Sequence, residues 1–303
     1  MLFALALIPV IGLLCFIYFN DKKEKEPFGL LIGLFFAGMG TVITAIIGEL
    51  IGGAIVGAIF SSESVIGQVL VACLIVAPAE ELGKFLVLRL ITWKNKNFNY
   101  NYDAIVYAVF VSLGFAALEN IEYVFMSGWS AAIMRMFTAV PGHACFAVFM
   151  GFFYSKAKFA SITKNKGKTA MFTLLAMFVP IVVHGIYDAI LMGGGAAGEI
   201  LATGLSIVVW ILFVIAMFVV SIILIVRTSR HDFCFVTLPD QTQTVYSPAI
   251  LGAWNCSCGS VNQLNFCGRC GRQRPMNIVW TCPTCGTLSA YNFCGRCGTP
   301  KPL

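Results

Sequence analysis

Val69-Leu-Val-Ala-Cys-Leu-Ile-Val-Ala-Pro78-Ala-Glu80-Glu81-Leu-Gly-Lys84-Phe-Leu-Val-Leu-Arg89 is long and apolar enough to cross a bilayer, yet it carries two carboxylates and an ammonium. An ionisable residue near the centre of a spanning helix costs roughly 2.5 to 3.5 kcal/mol on insertion scales. Three in one helix therefore require partners or a function. Other apolar segments supply candidates: Glu119, Asn120 and Glu122 in one, His143 in the next, His184 and Asp188 in the one after. A site inside the membrane is the first inference.

The whole chain agrees with that setting. Of 303 residues, 59% are hydrophobic and only 11% charged, and the mean hydropathy is +0.87, which excludes a soluble enzyme. The expected fold is an all-α polytopic membrane protein with about seven transmembrane helices, over residues 1–19, 28–59, 65–91, 104–126, 132–154, 170–192 and 200–226. The second run is rich in glycine, including Gly38, Gly48 and Gly52, which suits close helix packing. The first run lacks a basic leader and has its lysines after the apolar stretch, so it reads as a retained anchor. Trp93, Tyr100, Tyr102 and Trp129 fall near span ends, where an interfacial aromatic belt is expected.

Lysine and arginine set the expected orientation. Taking the spans in order, one side receives Lys22, Lys23 and Lys25, then Arg89, Lys94 and Lys96, then Lys156 to Lys168, then Arg227 and Arg230; the other receives only Arg135. The amino terminus is expected outside the cell membrane and the tail in the cytosol. The net charge of +6 follows largely from this asymmetry and implies no nucleic-acid partner.

After residue 230 the composition changes. A core domain over 1–230 is expected to give way to a linker over 231–253 and a cysteine-rich repeat over 254–300. The first half of the repeat places Cys256, Cys258, Cys267 and Cys270, and the second Cys282, Cys285, Cys294 and Cys297, in each case as two close pairs with glycine after the second cysteine. Four cysteines per half read as two structural zinc ions, because paired thiolates in a reducing compartment hold metal more often than they form disulfides. The first pair is Cys-x-Cys, a tighter knuckle than the Cys-x-x-Cys of the others. The repeat resembles the double zinc ribbon family, which implies a binding or regulatory module and a cytosolic partner. Saturated four-cysteine sites have no open position for catalysis.

Within the quoted helix, either glutamate can pair with Lys84, since the spacings are four and three residues. Pro78 weakens the backbone ladder just ahead of them. His184 and Asp188 share a face, so the carboxylate can orient the imidazole. Counting about 1.5 Å per residue puts Glu80, Glu119, His143 and His184 within roughly 10 Å of the midplane. Ionised together, Glu80, Glu81, Glu119, Glu122 and Asp188 would far outweigh Lys84. Protonated carboxylates, charged histidines or a bound cation must make up the difference.

Glu80-Glu81-x-x-Lys84, Phe115-x-x-x-Glu119-Asn120 and His184-x-x-x-Asp188, with the His143 helix between, resemble the motifs of the PrsW family of intramembrane endopeptidases. More distantly they resemble the CAAX prenyl protease and bacteriocin-processing superfamily. The resemblance covers about residues 1–226 and implies cleavage of membrane-embedded or membrane-proximal protein segments. On that reading Glu80 is the general base, Glu81 is held by Lys84, and Glu119 and His143 position the water. Asn120 and His184 then stabilise the oxyanion, and Asp188 orients His184. The same glutamates and histidines can equally hold a catalytic metal.

Two other classes remain as alternatives. A proton- or ion-coupled transporter also buries acids and histidines, but it usually shows repeats and paired interrupted helices that are missing from this sequence. An inactive scaffold would recruit partners through the ribbons. Glu122, outside the motifs, is the weakest site candidate.

Overall fold

A computed structural model of the chain describes residues 2–61, 64–196, 200–235, 254–262, 267, 269–272, 280–281, 283–284 and 288–289. The chain divides into two units, residues 1–239 and 240–303. Among the described residues the first unit is helical: α1 (Leu2–Asn20), α2 (Phe28–Gly57), α3 (Val65–Val71), a π-helical turn (Ala72–Val76), α4 (Ala77–Thr92), α5 (Asp103–Phe137), α6 (Ala139–Ile162), α7 (Lys166–Ala196) and α8 (Ile200–Arg230). Helices satisfy their own backbone groups, which hydrocarbon cannot do for them.

Among the described residues, five helical runs are long and apolar enough to cross a membrane: Phe28–Gly57, Val65–Thr92, Asp103–Ile162, Lys166–Ala196 and Thr203–Arg230. The 60-residue run Asp103–Ile162 is two crossings, because the backbone leaves the helix at Gly128 (φ 73°, ψ −153°) and again at Thr138 (φ −121°, ψ −76°). With the shorter apolar α1, the expected seven helices are present. One boundary is corrected: the fifth span was expected over 132–154, whereas α6 begins at Ala139. The intervening 129–137 form a short helical piece between the two breaks. A positive φ at Gly128 costs glycine nothing, so the turn is placed there.

Helix α5 is the hub. Residues 103–117 are buried along their whole length, packed against α1, α2 and α6. Contact with α2 is close because Gly38 and Gly114 lie at the crossing: a Cβ on Gly38 would stand 1.9 Å from Val111 O, and one on Gly114 2.0 Å from Phe35 O. The outer helices show large apolar side chains outward, such as Ile43, Leu50, Leu212 and Ile223, as lipid-facing surfaces do. Tyr102 departs from the expected interfacial belt. It is fully buried, and its amide donates to Asp232 Oδ1 at 2.8 Å.

In the second unit, β1 (Trp254–Asn255) pairs antiparallel with β2 (Val261–Asn262), and β3 (Trp280–Thr281) with β4 (Leu288–Ser289). These two short hairpins match the two halves of the cysteine repeat.

Candidate active site

The π turn over Ala72–Val76 runs directly into α4, with Pro78 in its first turn. A π turn resets the phase of the residues after it and is frequent at functional sites. Here it precedes the Glu80, Glu81 and Lys84 face. Cys73 in the turn lies against α7, with Sγ 3.5 Å from Gly185 O, beside His184.

Lys84 is fully buried and binds both carboxylates: Nζ is 2.9 Å from Glu80 Oε2 and 2.8 Å from Glu81 Oε1. Phe115 from α5 closes over the ammonium, its ring centroid 3.8 Å away. A third ammonium proton points at His143 Nδ1 on α6, at 3.2 Å. An ammonium only donates, so Nδ1 accepts and the ring proton sits on Nε2. That nitrogen donates to Glu119 Oε2 of α5 at 2.8 Å. Ser112 anchors the same turn of α6 by donating to His143 O at 2.9 Å.

His184 on α7 faces two carboxylates. Nδ1 lies 3.1 Å from Glu81 Oε1 and Nε2 3.2 Å from Asp188 Oδ2. With an acceptor at each nitrogen the ring donates twice, the bonding pattern of an imidazolium. Phe146 stacks on it at 4.4 Å between centroids, and the His143 ring stands edge-on at 5.5 Å. Residues from α4, α5, α6 and α7 thus form one connected network.

Two participants were missed from sequence. Arg135 lies in the short helical piece after Gly128, where a lone cation in an outward loop looked like an exception to a charge rule. Its Nη2 is 2.8 Å from Glu119 Oε2, its Nε donates to Asn120 Oδ1 at 3.0 Å, and its guanidinium covers Tyr123 at 3.9 Å. Glu49 on α2 is half-buried and follows Gly48, which lies against Ala79 of α4 beside Glu80. An acid in the middle of the glycine-rich run was its available signal.

One expectation is corrected. Asn120 was expected beside His184 as an oxyanion donor, but its amide donates to Ala6 O of α1 at 2.9 Å and its oxygen accepts from Arg135. The side chain is fully buried and bridges α1 and Arg135. Glu122 is exposed and stands apart from the network.

The charges nearly balance. Glu80, Glu81, Glu119 and Asp188 face Lys84, Arg135 and a doubly donating His184, which leaves one negative charge before Glu49 is considered. One oxygen of each of Glu80 and Glu81 and one nitrogen of His184 lie within 4.8 Å of one another. Glu81 Oε2 is buried without a hydrogen-bond partner. Carboxylate and imidazole donors with an oxygen to spare fit a catalytic zinc site.

In the tail, Cys256, Cys258, Cys267 and Cys270 have their sulfurs within 4.8 Å of one another. Two of the separations are 3.4 Å and 3.5 Å. Four thiolates about 2.3 Å from one zinc would stand about 3.8 Å apart, so this set fits a tetrahedral ion. These four are free cysteines. Cys282, Cys285, Cys294 and Cys297 lie outside the described residues.

Comparison with known proteins follows the same boundaries. The model of the PrsW family intramembrane metalloproteases matches residues 26–225, a stretch that holds the whole network and ends before the cysteine repeat. Protease PrsW of Oceanobacillus iheyensis is 33% identical over 204 residues, 67% of this chain and 88% of that protein. Protease PrsW of Geobacillus kaustophilus is 34% identical over 185 residues, 61% of this chain and 76% of its own. That of Bacillus subtilis is 34% identical over 184 residues, 60% and 79% respectively. No solved structure matches the chain. A multi-pass helical membrane protein with this network and these relatives is an intramembrane endopeptidase, and the chain belongs to the PrsW family.

Proposed function

We propose that peptide hydrolysis here uses a glutamate-activated water, with Glu80 as the general base. The observation that carries this reading is the inequality of the two glutamates. Glu81 is fully enclosed between Lys84 and His184, while Glu80 keeps 5% exposure and commits only Oε2 to Lys84. An oxygen with no other partner among the described residues is available to take a proton from water. Lys84 holds both carboxylates in register. His143, donating to Glu119 from Nε2, fixes the wall opposite. His184, held as a double donor by Glu81 and Asp188, offers positive charge to the developing oxyanion. Asn120 acts through Arg135 and α1.

A metal-assisted version has support from the orphaned Glu81 Oε2. Glu80, Glu81 and His184 would hold the ion, with Asp188 and Lys84 around them. Bound there, zinc would lower the pKa of its water and polarise the scissile carbonyl. Purified enzyme separates the versions. Glu80→Gln should insert and fold but not cleave, and retained cleavage would remove Glu80 from the base role. Chelation followed by metal return should leave cleavage unchanged for a glutamate-only site and should abolish and then restore it for a metal site.

The substrates are membrane-embedded or membrane-proximal protein segments, reached from the bilayer in which the helices sit. The lysine-rich helix ends face the cytosol, placing the tail there. Zinc is the ion of the Cys256, Cys258, Cys267 and Cys270 set, and the same reading extends to Cys282, Cys285, Cys294 and Cys297. The ribbons recruit a cytosolic partner and regulate the protease without entering its chemistry.

A further inference from the structure

At the lysine-rich end of the bundle, four carboxylates gather where separate chain segments meet. Asp21 follows α1, Glu26 precedes α2, Asp103 opens α5 and Asp232 follows α8. All four are buried, with exposures of 2%, 3%, 0% and 7%. One oxygen each of Asp21, Glu26 and Asp103 lies within 4.8 Å of the others. Glu119 is 16 residues beyond Asp103 on α5, about 24 Å along the helix, so this cluster is separate from the active site.

Fixed bonds orient the carboxylates without neutralising them. Asp103 Oδ2 accepts the amides of Asn99 at 3.0 Å and Tyr100 at 2.6 Å. Asp232 Oδ1 accepts that of Tyr102 at 2.8 Å, and Glu26 Oε2 accepts the Tyr107 hydroxyl. Both oxygens of Asp21, Oδ1 of Asp103 and Oδ2 of Asp232 are buried with no hydrogen-bond partner. An unpartnered buried carboxylate is costly, and Asp21 is a whole side chain of this kind aimed at two others. Among the described residues no lysine or arginine forms an ion pair with any of the four. Lys25 donates its ammonium to the backbone oxygens of Tyr18 and Asp21.

We propose that Asp21, Glu26 and Asp103, with Asp232 beside them, bind a hard divalent cation, Mg2+ or Ca2+. The donors are anionic oxygens with no nitrogen or sulfur in the set, the preference of these ions and not of zinc. The ion adds to a junction already made by backbone bonds, among them the Asn101 amide to Phe233 O at 3.0 Å, and by ring contacts such as Phe98 with Phe235 at 5.7 Å. It thus fixes the end of α8, from which the tail departs, to the start of α5.

Full-length protein in detergent, stripped with chelator, is titrated with Mg2+ and with Ca2+ separately while its melting temperature is followed. One cation should raise it saturably by a few degrees, and the one acting at lower concentration is the ligand. Asp21→Asn should lose that response while melting no lower than wild type in chelator, because its oxygens hold nothing else. Glu80→Gln should respond normally, which separates this site from the catalytic one. No saturable shift up to ~10 mM of either ion, or a normal response from Asp21→Asn, overturns the assignment. Calorimetric titration of the wild type needs no variant: one site per chain supports the proposal and none contradicts it.

Discussion

His184 Nδ1 stands 3.1 Å from Glu81 Oε1 across 103 residues of sequence. That contact joins α7 to α4 and makes one acid-base network of what would otherwise be two separate motifs. Since Glu81 also receives Lys84, a single carboxylate oxygen positions both the cation that holds Glu80 and the imidazole of His184.

Lys84→Met should be the most damaging single change in the network. It leaves Glu80 buried without a counter-ion and Glu81 with His184 alone, a loss of about 3–5 kcal/mol for breaking a buried pair. Both the melting temperature and cleavage should fall. Lys84→Arg should fail to rescue, because a planar guanidinium cannot aim donors at Glu80, Glu81 and His143 Nδ1 together as the compact ammonium does.

Asp188→Asn should act on rate with little effect on folding, because Asp188 retains partial exposure. Losing the carboxylate frees His184 to turn and weakens its positive charge. A drop of roughly 10–100-fold in kcat is expected, the scale for removing the hydrogen-bond partner behind a metal-ligating histidine. An unchanged kcat would put Asp188 outside the mechanism.

Arg135 divides its guanidinium between Glu119 and Asn120. Arg135→Lys keeps the charge on Glu119 but cannot make both contacts. Partial activity is expected, well above that of Arg135→Gln, and membrane insertion should be normal for both. Equal activity of the two variants would mean that the charge does not matter.

Gly38→Val tests the packing that places α5. The new side chain would drive into the Val111 backbone, which cannot yield as a flexible side chain does. A destabilisation of at least 1–3 kcal/mol, on the order of overpacking penalties, should appear as a lower melting temperature.

Cys256→Ser together with Cys267→Ser should reduce zinc content, measured by elemental analysis of purified protein. Cleavage by the membrane unit should persist, since these sulfurs lie outside the matched residues 26–225. Loss of intrinsic cleavage would give the tail a direct part in the chemistry.

Much of this was legible beforehand, for reasons that differ by residue. Glu80, Glu81, Lys84, His184 and Asp188 lie at helical spacings within apolar runs, so their faces follow from helix geometry, and their cost in lipid marks them as purposeful. Glu119 and His143 sit at matching depths on neighbouring crossings. Arg135 was hidden because only the break at Gly128 folds its short helix back over the site, and a backbone break is weakly encoded in sequence. Asn120 has the right depth but the wrong face, and its turn toward Ala6 depends on where α1 packs. Tyr102 looked interfacial because it follows a polar loop. Its burial comes from the chain after α8 returning to cover it, a long-range contact that local pattern does not carry.

Cutting of membrane protein through Glu80, within a convergent intramembrane site, has one direct test. Membranes from cells making equal amounts of wild type or Glu80→Gln are compared by sequencing newly formed protein amino termini. The account predicts that one or more termini within or beside membrane segments disappear with Glu80→Gln while the uncut protein accumulates. Identical sets of termini and identical levels of every membrane protein in the two samples would contradict it.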